Sequence, residues 1–396
     1  MKKKNCLLIS QHFYPEEFVI NDLVRKTNNY KFKVVTTYPS YPTFFNFKKF
    51  YKNFIKRKKQ NFTNSQIYRV VTFPRIFNNY FDIIMNYLSF IFFGIVSLFF
   101  IPKKKIDFIF VYATSPLYQA LIGVVAKKLF NKKLFIWVQD LWPESLIYTG
   151  YVKNKTILNL LKKLSLYIYN SSDLLIAQSN ELSKKIKKQT KTKVVYLPNP
   201  SRSFYSKKKI GNIISIGYAG NFGKVQDLDQ IILIADTIRK KRYKKINFYL
   251  IGEGSERKRL LQKLKIKKID NVFIKQRISM NKIITFYKKM DVLIINSNLK
   301  GNEAVIIPSK LQAYLSTSKP IISLCEGSVK QVVNNSNSGI NLSNMSVNIA
   351  AKKIIELTNN KKEMLKLGKN GKNYFKNNYD LDIVVRKFDN IINSNL

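Results

Sequence analysis

Ile306-Ile307-Pro308-Ser309-Lys310-Leu311-Gln312-Ala313-Tyr314-Leu315, followed by Ser316-Thr317-Ser318-Lys319-Pro320-Ile321-Ile322, is the stretch around which the chain is organised. Pro308 suits the first helical position, where its missing N–H costs nothing. Ser309 and Lys310 then fall among first-turn amides that lack an intrahelical acceptor. Leu311, Tyr314 and Leu315 share a face at helical spacing. Pro320 ends the helix, and Ile321-Ile322-Ser323-Leu324 reads as a buried strand. Open amides, the positive end of a dipole and a lysine together suit a phosphate. A capped core helix with a solvated lysine is the plainer reading of the same residues, and the surrounding chain must decide between the two.

Outward from that stretch, short apolar runs alternate with helical spacings. Cys6 to Ile9, Phe32 to Thr36, Ile67 to Thr72, Ile106 to Tyr112, Leu134 to Val138 and Leu174 to Ala177 read as strands. Helices are predicted from Ile20, from 120 to 129 and from 157 to 169. Pro198-Asn199-Pro200 and the polar run to Asn212 read as a linker. The alternation then restarts, with strands at 213–218, 248–251, 272–274 and 292–295 and helices between them. Residues 361–396 look helical and highly charged. Strands alternating with helices imply parallel sheets built from βαβ units, here an α/β chain of two domains in series.

With 396 residues, 45% of them hydrophobic, two sizeable cores can form. The formal net charge is +47, from 70 Lys and Arg against 23 Asp and Glu. Such a field draws nucleic acid, anionic lipid or phosphorylated substrates. Lysine is spread along the whole chain, however, and no basic patch interleaved with exposed aromatics marks a nucleic-acid binder. Cys6 and Cys325 have neither metal-ligand nor disulfide spacing, which fits a reducing cytoplasm. The apolar run after Met1-Lys2-Lys3-Lys4 is too short for a signal peptide. Ile83 to Ile101, 19 residues without a charge and followed by Pro102-Lys103-Lys104-Lys105, is long enough to span a bilayer. A single crossing would divide one parallel sheet between two compartments. The segment therefore reads as a helix lying in or dipping into the membrane face, helped by lysines on anionic lipid. A buried core helix and a true span are its alternatives.

In open parallel sheets, ligands bind beyond the carboxyl ends of the strands. Six polar groups are expected there. They are Gln11 to Asn21, with Glu16, Glu17 and Asn21; Tyr112 to Pro116; Gln139-Asp140-Leu141-Trp142-Pro143-Glu144-Ser145; Gly217 to Lys224; Gly252-Glu253-Gly254-Ser255-Glu256; and Pro308-Ser309-Lys310. Three glycines after a strand allow close backbone approach to a diphosphate. A loop Asp or Glu serves equally well as a helix cap. His12, the only histidine, reads as a satisfied loop residue rather than a base, since no serine or cysteine is placed to partner it.

Taken in order, Tyr14-Pro15-Glu16, Ile20-Asn21-Asp22-Leu23, Tyr38-Pro39-Ser40-Tyr41-Pro42, Gln139 to Ser145, Ala219-Gly220-Asn221, Gly252-Glu253-Gly254, Pro308 to Gln312 and Lys319-Pro320-Ile321 resemble the retaining glycosyltransferases of family four. The nearest subgroup is the WbuB-like or WcaI-like enzymes of colanic-acid and O-antigen synthesis, which include N-acetyl-L-fucosamine transferases. The resemblance implies a GT-B fold, two Rossmann-like doubly wound domains facing a central cleft. It places an acceptor-side domain at 1–205, a nucleotide-sugar-binding domain at 206–378 and a terminal helix at 379–396 that returns to the first domain. It further implies a UDP-sugar donor held through Gly220, Asn221, Lys224, Gly252, Arg277, Pro308, Ser309, Lys310 and Gln312. The expected acceptor is a polyprenyl-diphosphate-linked glycan near Glu17, Asn21 and Trp142, at the cytoplasmic, anionic face of the inner membrane. Asp140 is the first choice for a polar group at the reacting carbon or acceptor hydroxyl, with Glu144 and Glu16 next. Neither a cofactor nor a metal is expected, since Asp227-Leu228-Asp229 is better explained by capping, and no nucleic-acid partner is expected.

The chain departs from the wider family at several positions. Ala313 and Val305 stand where relatives carry two glutamates, Asn221 stands where they carry an arginine, and Ser318 where they carry a glycine. A non-catalytic GT-B protein that binds a nucleotide sugar or a partner enzyme is therefore the alternative function.

Overall fold

The computed structural model describes residues 3–39, 61–76, 79–148, 152, 154–205, 210–243, 245–300 and 303–396. Two compact units result: Met1–Pro200 together with Leu381–Leu396, and Ser201–Asp380. The Ser40-Tyr41-Pro42 part of the quoted motif lies outside the described residues.

In the first unit, β1 (Lys4–Ile9), β2 (Tyr30–Thr37), β4 (Ser65–Val70), β5 (Phe108–Ala113), β6 (Leu134–Val138), β7 (Leu174–Ala177) and β8 (Val194–Tyr196) form a parallel sheet. The short β3 (Asn61–Phe62) adds an antiparallel edge, in the order β3-β4-β2-β1-β5-β6-β7-β8. β5, β6 and β7 are unbroken apolar runs because helices cover both faces of a parallel sheet. β1 lies between β2 and β5, so the chain order reverses at its carboxyl end.

The helix Leu381–Asn395 closes this unit. Phe388 sets its ring edge-on to Tyr30 and Phe110. Asp389 accepts from Asn29 Nδ2 at 2.7 Å and Thr27 Oγ1 at 3.3 Å, and Lys26 pairs with Asp382 at 2.7 Å.

The second unit has one six-stranded parallel sheet. Its strands are β9 (Ile214–Ala219), β10 (Ile246–Ile251), β11 (Val272–Lys275), β12 (Val292–Ile295), β13 (Ile321–Ser323) and β14 (Gly339–Asn341), ordered β11-β10-β9-β12-β13-β14. Here β9 is the strand at the reversal, with β10 on one side and β12 on the other. Both sheets are doubly wound, and the carboxyl ends of β1 and β9 are where such sheets open a crevice for ligands.

The helix predicted from Pro308 corrects one detail. It runs Ser309–Ser316, and Pro308 is its N-cap in extended backbone (φ −67°, ψ 141°) rather than its first helical residue. Leu311 N reaches the Pro308 carbonyl at 2.9 Å in a tight first turn. Ser309 and Lys310 thus occupy the first two helical positions, whose amides have no intrahelical acceptor.

Candidate functional site

At the end of β9, Lys310 returns from its helix to lie under the strand. Its Nζ is 2.7 Å from Tyr218 Oη and 4.3 Å from the centroid of the Tyr218 ring, while Tyr218 Oη donates to the Asn221 carbonyl at 2.8 Å. An ammonium has three donors, and the tyrosine takes one. Among the described residues no carboxylate pairs with Lys310. Burial pushes its pKa down to about 8, against a pull upward from Cys325, and burial lifts the Cys325 thiol to about 12. A cation held this way is stabilised by an anion brought to it.

The two glycine turns shape the space beside that ammonium. Gly220 N bonds Ile251 O at 3.0 Å, Phe222 N bonds Glu253 O at 2.8 Å and Glu256 N bonds Phe222 O at 3.0 Å, so the turns after β9 and β10 are laced together over the buried Phe222 ring. A methyl at Gly252 would lie 1.8 Å from the Gly220 carbonyl oxygen, and one at Gly220 would lie 2.5 Å from Lys310 Nζ. Gly252→Ala must therefore push the turns apart. We expect a loss of about 2 kcal/mol or more in stability, read as a lowered Tm, together with weaker UDP binding by calorimetry.

Of the expected donor residues, the fold brings Gly220, Gly252, Pro308, Ser309 and Lys310 together at this edge. Asn221 contributes its carbonyl to Tyr218, and its exposed amide lies 3.3 Å from Gln226 Oε1. Lys224 is exposed at the start of a short turn, and Arg277 is exposed beyond β11; neither has a contact with Lys310 among the described residues. Gln312 is fully buried, and with its amide nitrogen 2.9 Å from Pro308 O and 3.0 Å from Ser309 O it braces the helix start from within. Tyr218 lies in the expected group Gly217 to Lys224 but is given no role there, because it also ends an apolar strand run, and Cys325, two residues past β13, reads as core.

In the first unit, the loops leaving β1, β5 and β6 carry the expected acceptor-side groups. Asp140 leaves β6, and burial raises its carboxyl pKa, opposed by a hydrogen bond from Ser115. Ser115 Oγ also accepts from Trp142 Nε1 at 3.0 Å, so one serine joins the carboxylate to the indole. Trp142 is otherwise buried, edge-on to Tyr118, which makes it a wall of the loop rather than an exposed platform. Ser115→Ala removes the bond that favours the charged Asp140. Its pKa should then rise further, read as a shift of the carboxyl titration to higher pH by NMR.

Glu144 begins the helix Glu144–Tyr148, with Oε2 buried and unpartnered among the described residues. Burial lifts the Tyr118 pKa to about 12, and the Glu144 charge adds to the rise. Glu16 is buried and bonded to His12 Nδ1 at 2.9 Å, and the His12 ring stacks on Phe18 at 4.9 Å. His12 is thus a satisfied loop histidine, and its partner is the carboxylate four residues on, a spacing visible in the sequence. Asn21 is buried, and its Nδ2 donates to the Glu16 carbonyl. Glu17 is exposed.

Residues 203–374 match the family described as Glycosyl transferases group 1. An uncharacterized glycosyltransferase of Methanocaldococcus jannaschii is 22% identical over 210 residues, 53% of this chain and 56% of that protein, so the chain spans about half the length of that relative. Among solved structures, HepE of Anabaena in complex with UDP superposes with a TM-score of 0.71 at 12% identity, over 99% of this chain and 100% of that one. Sucrose-phosphate synthase of Thermosynechococcus elongatus gives 0.76 at 12% identity, over 99% of each chain. A glycosyltransferase of Rickettsia africae gives 0.70 at 15% identity, over 100% of this chain and 99% of that one. The chain has the GT-B fold, and its residues 203–374 match the glycosyl transferases group 1 family.

Proposed function

We propose that this chain is a retaining glycosyltransferase of hexosyltransferase type. It moves an N-acetylated amino or deoxy sugar from a UDP-sugar to a polyprenyl-diphosphate-linked glycan in surface-polysaccharide synthesis, at the cytoplasmic face of the inner membrane. The observation that carries the reading is the ammonium of Lys310, without a carboxylate, set beside the laced glycine turns and two open helix-start amides within residues 203–374. HepE, with the same fold, binds UDP, and a diphosphate is the ligand that this set of donors suits. As the sugar leaves, charge grows on the distal phosphate. Lys310 and the amides of Ser309 and Lys310 stabilise that charge without having to reorganise. Asp140 acts on the acceptor hydroxyl or the sugar carbon, and the hydrogen bond from Ser115 favours its charged form against the effect of burial. The subgroup assignment rests on Gln139 to Ser145 and Pro308 to Gln312, which resemble the WbuB-like and WcaI-like enzymes.

Incubating the protein with membranes and a panel of UDP-sugars, with UDP release as the signal and mass spectrometry of the product, tests the proposal. Release with one sugar and a product heavier by that sugar is expected. UDP affinity without release from any donor would favour the non-catalytic GT-B alternative, which Val305 and Ala313 motivate.

A further inference from the structure

The helix Tyr80–Leu98 is highly apolar yet buried along a single stripe. Asp82, Asn86, Phe90, Gly94 and Leu98, spaced four apart, face inward. Gly94 lets it close on the helix Ala120–Phe130, since a methyl there would lie 2.4 Å from Ile122 Cδ1. Asn86 pins the other end. Its Oδ1 accepts from Gln11 Nε2 at 2.9 Å and Arg75 Nε at 3.1 Å, and its Nδ2 donates to Phe73 O at 2.7 Å. A crossing of the bilayer would break these bonds and leave their polar groups unsatisfied in hydrocarbon.

The opposite side of the helix is open. Phe81, Ile84, Leu88, Phe92, Phe93 and Val96 are exposed, Leu88 by 54% and Phe92 by 62%, and Phe99 and Phe100 continue the face at 71% and 76%. No charge interrupts it, because the helix's one acid, Asp82, is buried. The exposed turn Lys103–Lys105 follows. A second bank lies alongside. The helix Ala120–Phe130 touches both Tyr80–Leu98 and the helix Lys155–Ser171. The latter exposes Ile157, Leu160 and Tyr167 among Lys155, Lys162 and Lys163.

Single apolar side chains on a surface are ordinary, but a continuous face is a binding site. We infer that the helices Tyr80–Leu98 and Lys155–Ser171 form one monotopic docking face for an anionic lipid surface. Its aromatic and aliphatic side chains enter the headgroup–acyl boundary, and its marginal lysines meet lipid phosphates. A second copy of the chain fits less well, because each copy carries a formal net charge of +47 and would bring its own lysine margin against the other's. Through Asn86 and Gln11 the face is joined to the loop that holds His12 and Glu16. Docking therefore fixes that loop behind the helix, one helix diameter (~10 Å) from the lipid; its use for a lipid-linked acceptor rests on the function proposed above.

The test uses the full chain with vesicles of phosphatidylcholine, alone or mixed with phosphatidylglycerol. The protein should sediment with anionic vesicles at least about tenfold better than with neutral ones. Leu88→Glu with Phe92→Glu should reduce that binding at least about tenfold, and Leu160→Glu by a smaller factor of about three, with Tm unchanged. Phe92→Trp should shift its emission to the blue on docking and be quenched by brominated acyl chains; the native Trp137 and Trp142 are buried and report little. Three results would overturn the inference. One is binding by the double glutamate variant equal to wild type, which would leave lysines alone as the cause. Another is Phe92→Trp emission that vesicles do not change. The third is a dimer in vesicle-free buffer that the double variant turns into a monomer. UDP affinity, measured without vesicles, keeps this test separate from the proposed chemistry.

Discussion

Asp140→Asn should lower turnover by about 100-fold or more while UDP binds with unchanged affinity. Asparagine keeps the shape of the side chain and can still accept from Ser115, so the loop from Gln139 to Ser145 should hold its form. Only the charge is lost. That charge is held at a cost, because burial raises the Asp140 pKa and Ser115 alone opposes the rise. Groups kept ionised against their surroundings concentrate where chemistry occurs. On the proposed function UDP is held by residues 203–374, so its binding should not register the change. Steady-state UDP release and calorimetry on the same preparation decide the matter, and near-normal release would remove Asp140 from the mechanism.

Lys310→Met should act in the opposite sense on two properties at once. Affinity for UDP should fall by about 10- to 100-fold, the scale of losing one charge-assisted hydrogen bond. Stability near neutral pH should rise. Lys310 has a folded pKa of about 8 against 10.5 for the free side chain. Between those values the unfolded chain binds the proton and the folded chain does not, so wild-type stability increases with pH across that window and is lowest below it. Methionine carries no proton to lose, which removes both the penalty and the slope. The same titration weakens UDP binding to the wild type as pH rises above about 8, and the variant should show no such limb. Calorimetry from pH 7 to 9.5, with thermal melts at each pH, reads all of these effects. A methionine variant that binds UDP normally would refute the phosphate role of Lys310.

The fold was legible where burial is complete. Leu134–Val138, Leu174–Ala177 and Val292–Ile295 are strands at the bounds their apolar runs suggest, because a parallel strand covered on both faces tolerates no polar interruption. Strands Val194–Tyr196 and Gly339–Asn341 escaped, being three residues long and half-exposed. So did the helix Gly327–Asn335, in which Ser328, Lys330, Gln331 and two asparagines dilute the apolar spacing. The positions of the glycine turns and of Lys310 could be read because strand ends in such sheets gather ligands. How those residues meet could not. Whether Lys310 extends into solvent or folds back onto a tyrosine depends on the height of the neighbouring strand, which has no local sequence signal. Nor could the turning of the Gln312 amide back onto Pro308 and Ser309 be read, since it too is set by packing.

The helix Leu381–Asn395 has a consequence for biosynthesis. It belongs to the first unit, yet residues 201–380 are made before it. During translation the nascent first sheet must wait, with the apolar surface around Tyr30 and Phe110 unsealed, until the ribosome has finished the second unit. Domains usually mature in the order in which they emerge. Here the earlier-synthesised one should reach protease resistance last.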